Sequence, residues 1–143
     1  MHAKLINDDP ERTYAIVLDT GDEVVPCLEA FAQEHSLVAS RFTAIGAFRQ
    51  VTLGYFDWER KAYDRIELDE QLEVLSLIGD ITLQERQHRL HAHAVLGRHD
   101  AQMRVGHLLH AVVRPTLEVL LTDSPSYLRR ELDPASGLPL SKF

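Results

Sequence analysis

Only one stretch of this chain has the period of a helix, and that limits its architecture more than any other feature. Val24, Leu28, Phe31 and Ala32 fall at i, i+4, i+7 and i+8, which marks one apolar stripe along an amphipathic helix. The pattern starts at Asp22 and runs out near His35-Ser36; Thr20 or Asp22 would cap it, and Pro26 lies early enough to be tolerated. Before it stands a strand, Tyr14-Ala-Ile-Val-Leu-Asp19, closed by the turn residues Thr20-Gly21-Asp22. Nearly everything after it reads as strand. The runs are Val38–Phe48, Val51–Asp57, Ala62–Leu68 beyond a turn at Trp58–Lys61, and Gln71–Ile78. Gly79-Asp80 then punctuates before Ile81–Leu83, and the series continues with Arg89–Leu96, Met103–Val113 and, past Pro115, Thr116–Thr122. One helix among about seven or eight strands joined by short turns excludes a repeated βαβ architecture. The expectation is an α+β fold, a mostly antiparallel twisted sheet with one main helix packed on it. Residues 1–11, with Asp8-Asp9-Pro10, read as a loose lead-in and residues 12–135 as the domain. A short helix is expected around Tyr127–Leu132, and the tail 136–143 reads as irregular.

The length of 143 residues suits one domain. A chain of this size buries about 68–70% of its unfolded surface, enough for a core without covalent staples. Its one cysteine, Cys27, forms no intramolecular disulfide and lies in the apolar helical pattern, where a small hydrophobe is the simplest role. The net charge of −7, from 15 basic against 22 acidic residues, argues against a broad electrostatic grip on nucleic acid. No basic run is longer than Arg129-Arg130, no secretory signal pattern opens the chain, and no apolar run approaches ~18 residues. A cytoplasmic location is expected.

The sharpest chemical signal lies between residues 88 and 118. This segment carries His88, His91, His93, His99, His107 and His110 out of eight histidines in the chain, and its His91-Ala-His93 is the only HxH. Alternate side chains of a strand share a face, so His91 and His93 project together while Leu90, Ala92, Ala94 and Leu96 take the other side. His107 follows Gly106 shortly downstream. Three imidazoles converging on one point are a common way to hold a zinc-like divalent metal with a coordination position open. His88, His99 and His110 read as surface or turn residues, with His110 the reserve ligand. Arg41 and Arg89 are of the type that binds a carboxylate bidentately beside a metal, though a solvated arginine is the plainer reading of each. Tyr55, Phe56 and Trp58 read as packing residues near a hairpin.

The order of these motifs resembles a known family. Thr43-Ala-Ile-Gly-Ala47, Val51-Thr-Leu-Gly-Tyr-Phe-Asp57, Leu72–Gly79, His91-Ala-His93, Gly106-His-Leu-Leu109 and Thr116-Leu-Glu-Val119, behind the first strand and helix, are similar to the PPC domain, the plant and prokaryote conserved domain. The resemblance implies an α+β fold, a homotrimer and, in stand-alone members, a metal site made by the HxH and the histidine of a GGHL motif. Those ligands correspond to His91, His93 and His107. Val105 replaces the first glycine of GGHL, and a β-branched residue does not readily take φ > 0. The family also carries a predicted DNA-binding label, but this chain has no AT-hook.

Two functions follow as expectations. One is a trimeric metal-binding module with a DNA-associated or regulatory role. The other is a zinc-dependent lyase or hydrolase acting on a small molecule, in which a three-histidine metal polarises a carbonyl or activates water. In that case Glu118 or Glu73, charged residues on otherwise apolar strands, would move a proton. No phosphate loop, dinucleotide fingerprint or nucleophile triad stands out.

Overall fold

A computed structural model of the chain describes residues 1–123 and 129–142. In it the alternating runs become β1 (His2–Asn7), β2 (Thr13–Asp19), β3 (Ala39–Asp57), β4 (Ala62–Leu68), β5 (Leu72–Gln84), β6 (Gln87–Gly97), β7 (Met103–Asp123), β8 (Arg129–Leu132) and β9 (Pro139–Lys142). The one helix among the described residues, α1, spans Val24–Glu34. Seven strands form an antiparallel sheet in the order β1-β2-β7-β6-β5-β3-β4, and β8 and β9 form a separate hairpin. Because β7 also pairs with β3, the strands β7, β6, β5 and β3 close into a ring. The expected α+β sheet with one helix is what the chain forms.

Alternation decides which face is dry. Tyr14, Ile16 and Leu18 of β2, Ala92, Ala94 and Leu96 of β6, and Leu117, Val119 and Leu121 of β7 are buried. Onto this core α1 lays Val24, Leu28, Phe31 and Ala32, the stripe read from the sequence. The cap differs from expectation. Glu23 is the N-cap and makes no side-chain capping bond, while the Asp22 carboxylate accepts the Asp19 N–H at 2.9 Å. Among the described residues no helix is long and apolar enough to cross a membrane.

Three expected breaks are not breaks. Gly79-Asp80 lies inside β5, and the runs on either side of Arg49 and of Pro115 join into β3 and β7, strands of 19 and 21 residues. Pro115 is tolerated because the β3–β7 register jumps from Gly46↔Leu117 to Phe48↔Val113, leaving residues 114–116 bulged out of the β3 ladder, while Thr116 pairs with Asp19 of β2. Gly46 faces that bulge at φ +148°, and a Cβ there would lie 2.3 Å from the Thr116 carbonyl oxygen. Only glycine fits that position. The stretch read as a loose lead-in pairs along β2 as β1. In the tail, Arg129–Leu132 pairs with β9 instead of continuing a helix, and Tyr127 and Leu128 lie outside the described residues.

The face away from α1 divides in two. Around β2, β3, β5 and the second half of β7, Ile45, Leu75, Ile78 and Leu120 are each more than half exposed. Together with Val17, Thr43 and Glu118 they surround a cavity of about 460 Å³. Around β6 and the first half of β7 lie the histidines.

Candidate metal centre

The register of three strands assembles the histidines. Ile78 of β5 pairs with His93 of β6, and His93 pairs with His107 of β7, so these two imidazoles are cross-strand neighbours. His91, two residues along β6, projects from the same face. The ring centroids are 5.2 Å apart for His91 and His93, 5.1 Å for His91 and His107, and 5.3 Å for His93 and His107. One nitrogen from each ring lies within 4.8 Å of the others. The Val105 departure does not disturb this arrangement. Neither Val105 nor Gly106 takes a positive φ, and both pair regularly with β6.

That spacing can be tested against a metal. With a metal–nitrogen distance of about 2.0–2.1 Å and a ring centroid about 1.1 Å behind the nitrogen, three imidazoles at tetrahedral angles have centroids about 5.2 Å apart. The observed triangle matches this. In addition, Nδ1 of His107 is buried with no hydrogen-bond partner among the described residues, a state that costs free energy unless something satisfies it. A set of neutral imidazoles suits zinc and other borderline cations better than magnesium or calcium. The residues present fit a divalent metal of the zinc kind.

Their electrostatics point the same way. Burial, with the neighbouring His91, His93 and Arg130, pushes His107 down to about 4. Burial and His91 lower His93 as well. Imidazoles that resist protonation keep a lone pair available for a metal.

Packing holds the rings. Tyr63 of β4 stacks on His107 with centroids 4.7 Å apart and an interplanar angle of 25°. It reaches there across Gly54, which pairs with His107 and where a Cβ would come within 2.7 Å of the Tyr63 ring. Behind His91 lies Asp80, its direct cross-strand partner, with the Asp80 carboxylate 3.9 Å from Nδ1. Arg130, on β8, donates from one terminal nitrogen to Asp80 at 2.9 and 2.8 Å and to His91 Nδ1 at 2.8 Å. Burial raises the Asp80 carboxyl, but the neighbouring His91 and the hydrogen-bonded Arg130 guanidinium outweigh it and the net shift is downward. Sequence reading missed Tyr63, Asp80 and Arg130. Only Asp80 carries a signal, as an acidic residue inside a run of strand formers, and beside Gly79 that signal reads as a turn.

The other candidates are placed elsewhere. His110 faces Glu23 at the start of α1, 3.6 Å away, His88 is half-buried, and His99 is exposed. Arg41 lies against Glu11 and Arg89 near Glu29. Arg89 nevertheless helps line a cavity of about 230 Å³ with Tyr63, His91, His107, Arg130 and Leu140. Glu118 and Glu73 are exposed and line the apolar cavities around Ile45 and Leu75 instead. Tyr55 and Trp58 are exposed and Phe56 is half-buried.

A ring of antiparallel strands with one helix on its core face and three histidines on the other defines the class of protein this is. The chain belongs to the family of the Plants and Prokaryotes Conserved (PCC) domain, which it matches over residues 6–125. Solved structures that share its fold include the following three. A candidate DNA-binding protein of Bacteroides thetaiotaomicron is 31% identical, with a TM-score of 0.92, covering 99% of this chain and 96% of its own. A metal-containing protein of Archaeoglobus fulgidus is 32% identical, with a TM-score of 0.86 and coverage of 99% and 97%. A plant- and prokaryote-conserved protein of Pyrococcus horikoshii is 26% identical, with a TM-score of 0.87 and coverage of 99% and 95%. No curated protein matches the chain.

Proposed function

We propose that this protein is a metal-binding module in which His91, His93 and His107 hold one divalent ion, zinc by preference, within a cytoplasmic homotrimer that has a DNA-associated or regulatory role. The observation that carries the reading is the near-equilateral triangle of imidazoles, whose sides of 5.1–5.3 Å suit tetrahedral coordination. The similar Archaeoglobus protein described as metal-containing supports it. The trimer is supported by the exposed apolar sheet face, since contiguous apolar surface of this kind marks interaction sites. The DNA-associated role rests on the description of the Bacteroides relative. Charge limits it, because several arginines are already engaged by carboxylates: Arg12 by Asp123, Arg60 by Asp57 and Asp64, Arg98 by Glu70, and Arg130 by Asp80.

Elemental analysis of protein purified without chelator tests the metal. About one zinc per chain is expected, falling to none in the His91→Ala/His93→Ala variant. Added zinc should also stabilise the stripped protein, by about 2.7 kcal/mol at a hundredfold excess over Kd. A metal-free protein with no response to zinc removes the reading. For DNA, a fluorescence titration at low salt with mixed-sequence duplex is decisive; no binding there ends that role.

A second reading, a zinc-dependent lyase or hydrolase, draws on the 230 Å³ cavity, which borders His91 and His107 and is lined in part by Arg89. The metal would supply Lewis acidity or an activated water. Arg89 would bind an anionic group of the substrate, and Leu138, Pro139 and Leu140 would exclude water. Glu118 and Glu73 serve as proton carriers in this reading only where a neighbouring copy brings its apolar face to the histidines.

A further inference from the structure

The surroundings of His91 contain a conflict that the metal reading sharpens. Arg130 is a permanent donor, with no lone pair to offer. At 2.8 Å from Nδ1 it requires that nitrogen to accept, so the neutral ring carries its proton on Nε2. Nδ1 is thus occupied, and Nε2 is the nitrogen left for a metal. A protonated Nε2 cannot ligate.

Three features make Arg130 a built part of the site. Its side chain is only 9% exposed. It is held on Asp80 from two nitrogens, and its remaining terminal nitrogen donates to the Pro139 carbonyl at 3.1 Å, which ties β8 to β9. The turn between those strands is closed by Asp133, whose carboxylate accepts from the Ser136 N–H at 2.8 Å and the Ser136 hydroxyl at 2.7 Å. Asp80, in turn, is placed beside His91 by the β5–β6 register itself.

We propose that Asp80 and Arg130 are opposed positioning residues for His91: Asp80 orients it for metal, and Arg130 holds it in the metal-refusing tautomer. This rests on the three-histidine reading above. To present a lone pair at Nε2, neutral His91 passes that proton to water and takes one up at Nδ1, with no net proton gained or lost. The new Nδ1–H has no acceptor in Arg130. It turns to the Asp80 carboxylate, now 3.9 Å away, giving the carboxylate–histidine–metal arrangement that fixes a ligand's tautomer. Arg130 must leave Nδ1 as this happens, and its positive charge also opposes a dication nearby. By linkage, the Arg130–His91 contact weakens metal binding as much as metal weakens the contact. The β8–β9 hairpin that carries Arg130 therefore sets the affinity of a site to which it contributes no ligand.

The test uses the full chain and zinc, with affinity read by competition against a chromophoric chelator. Arg130→Gln should bind zinc about fivefold or more tighter than wild type, and Asp80→Asn about tenfold more weakly. A measurement on wild type alone accompanies these, since either variant could fold poorly. Nitrogen-15 spectra of the histidine rings should report the Nε2–H tautomer of His91 in chelator and the Nδ1–H tautomer with zinc. Wild type that binds zinc but shows Nδ1–H in chelator overturns the proposal and leaves the metal centre standing, as does Arg130→Gln that binds zinc no tighter. Wild type that binds no zinc removes both.

Discussion

Two regions of one sheet surface, the histidine corner and the apolar patch, answer the same constraint in opposite ways. Both lie on the face that α1 leaves uncovered. In the corner, polar groups find one another: Asp80 with Arg130, Arg130 with His91, and His107 under Tyr63. Among the described residues the one buried atom there without a partner is His107 Nδ1. In the patch, Ile45, Leu75, Ile78 and Leu120 remain largely in water, with no segment of the described residues over them. A surface nearly satisfied except at a point the size of an ion suits an ion. One unsatisfied over a broad apolar area suits another macromolecule.

The two regions should therefore fail independently. Replacing one proposed ligand, His107→Ala, should weaken zinc binding by more than about 100-fold, since even residues that only support a ligand are worth about 10–100-fold. Its mass in solution should stay that of wild type. The reverse pair, Ile45→Asp with Leu75→Asp, should lower the mass seen by light scattering about threefold, to that of the 16.3 kDa chain. Zinc content should hold. If either change moved both readouts, the corner and the patch would be one site.

A smaller effect is expected from Gly54→Ala, which displaces the Tyr63 ring from His107. It should cost about 1 kcal/mol or more of stability by overpacking and reduce zinc affinity, with the mass unchanged. The smallest is a pH effect on the stripped protein. His107 titrates near 4 in the fold and near about 6.5 when unfolded. Between those values the unfolded chain binds a proton that the native chain refuses, so stability rises with pH across that window and is lost as pH falls. Denaturant midpoints in chelator should climb from pH 4 to 6.5. In His107→Ala that climb should flatten.

Much of this fold was legible because its signals are local. The period of Val24, Leu28, Phe31 and Ala32 needs only the geometry of a helix, and the shared face of His91 and His93 only the pleat of a strand. Strand ends were less legible. Pro115 read as a terminator because β3, the strand that leaves Arg114 and Pro115 without a partner in its ladder, lies about 70 residues away in sequence. Asp80 read as a turn for a similar reason, since its partners His91 and Arg130 come from two other elements.

Sequence alone thus determined the one helix, most of the strands, and a pair of imidazoles on one side of β6. The tertiary structure decided the rest. It closed β3 onto β7, brought His107 to within about one ring spacing of His91 and His93, and set Arg130 against them. The physical reason is one of range. A side chain's face depends on torsions its neighbours in sequence control, whereas which residues meet depends on strand register, and register is set by bulges and burial that only the assembled sheet supplies.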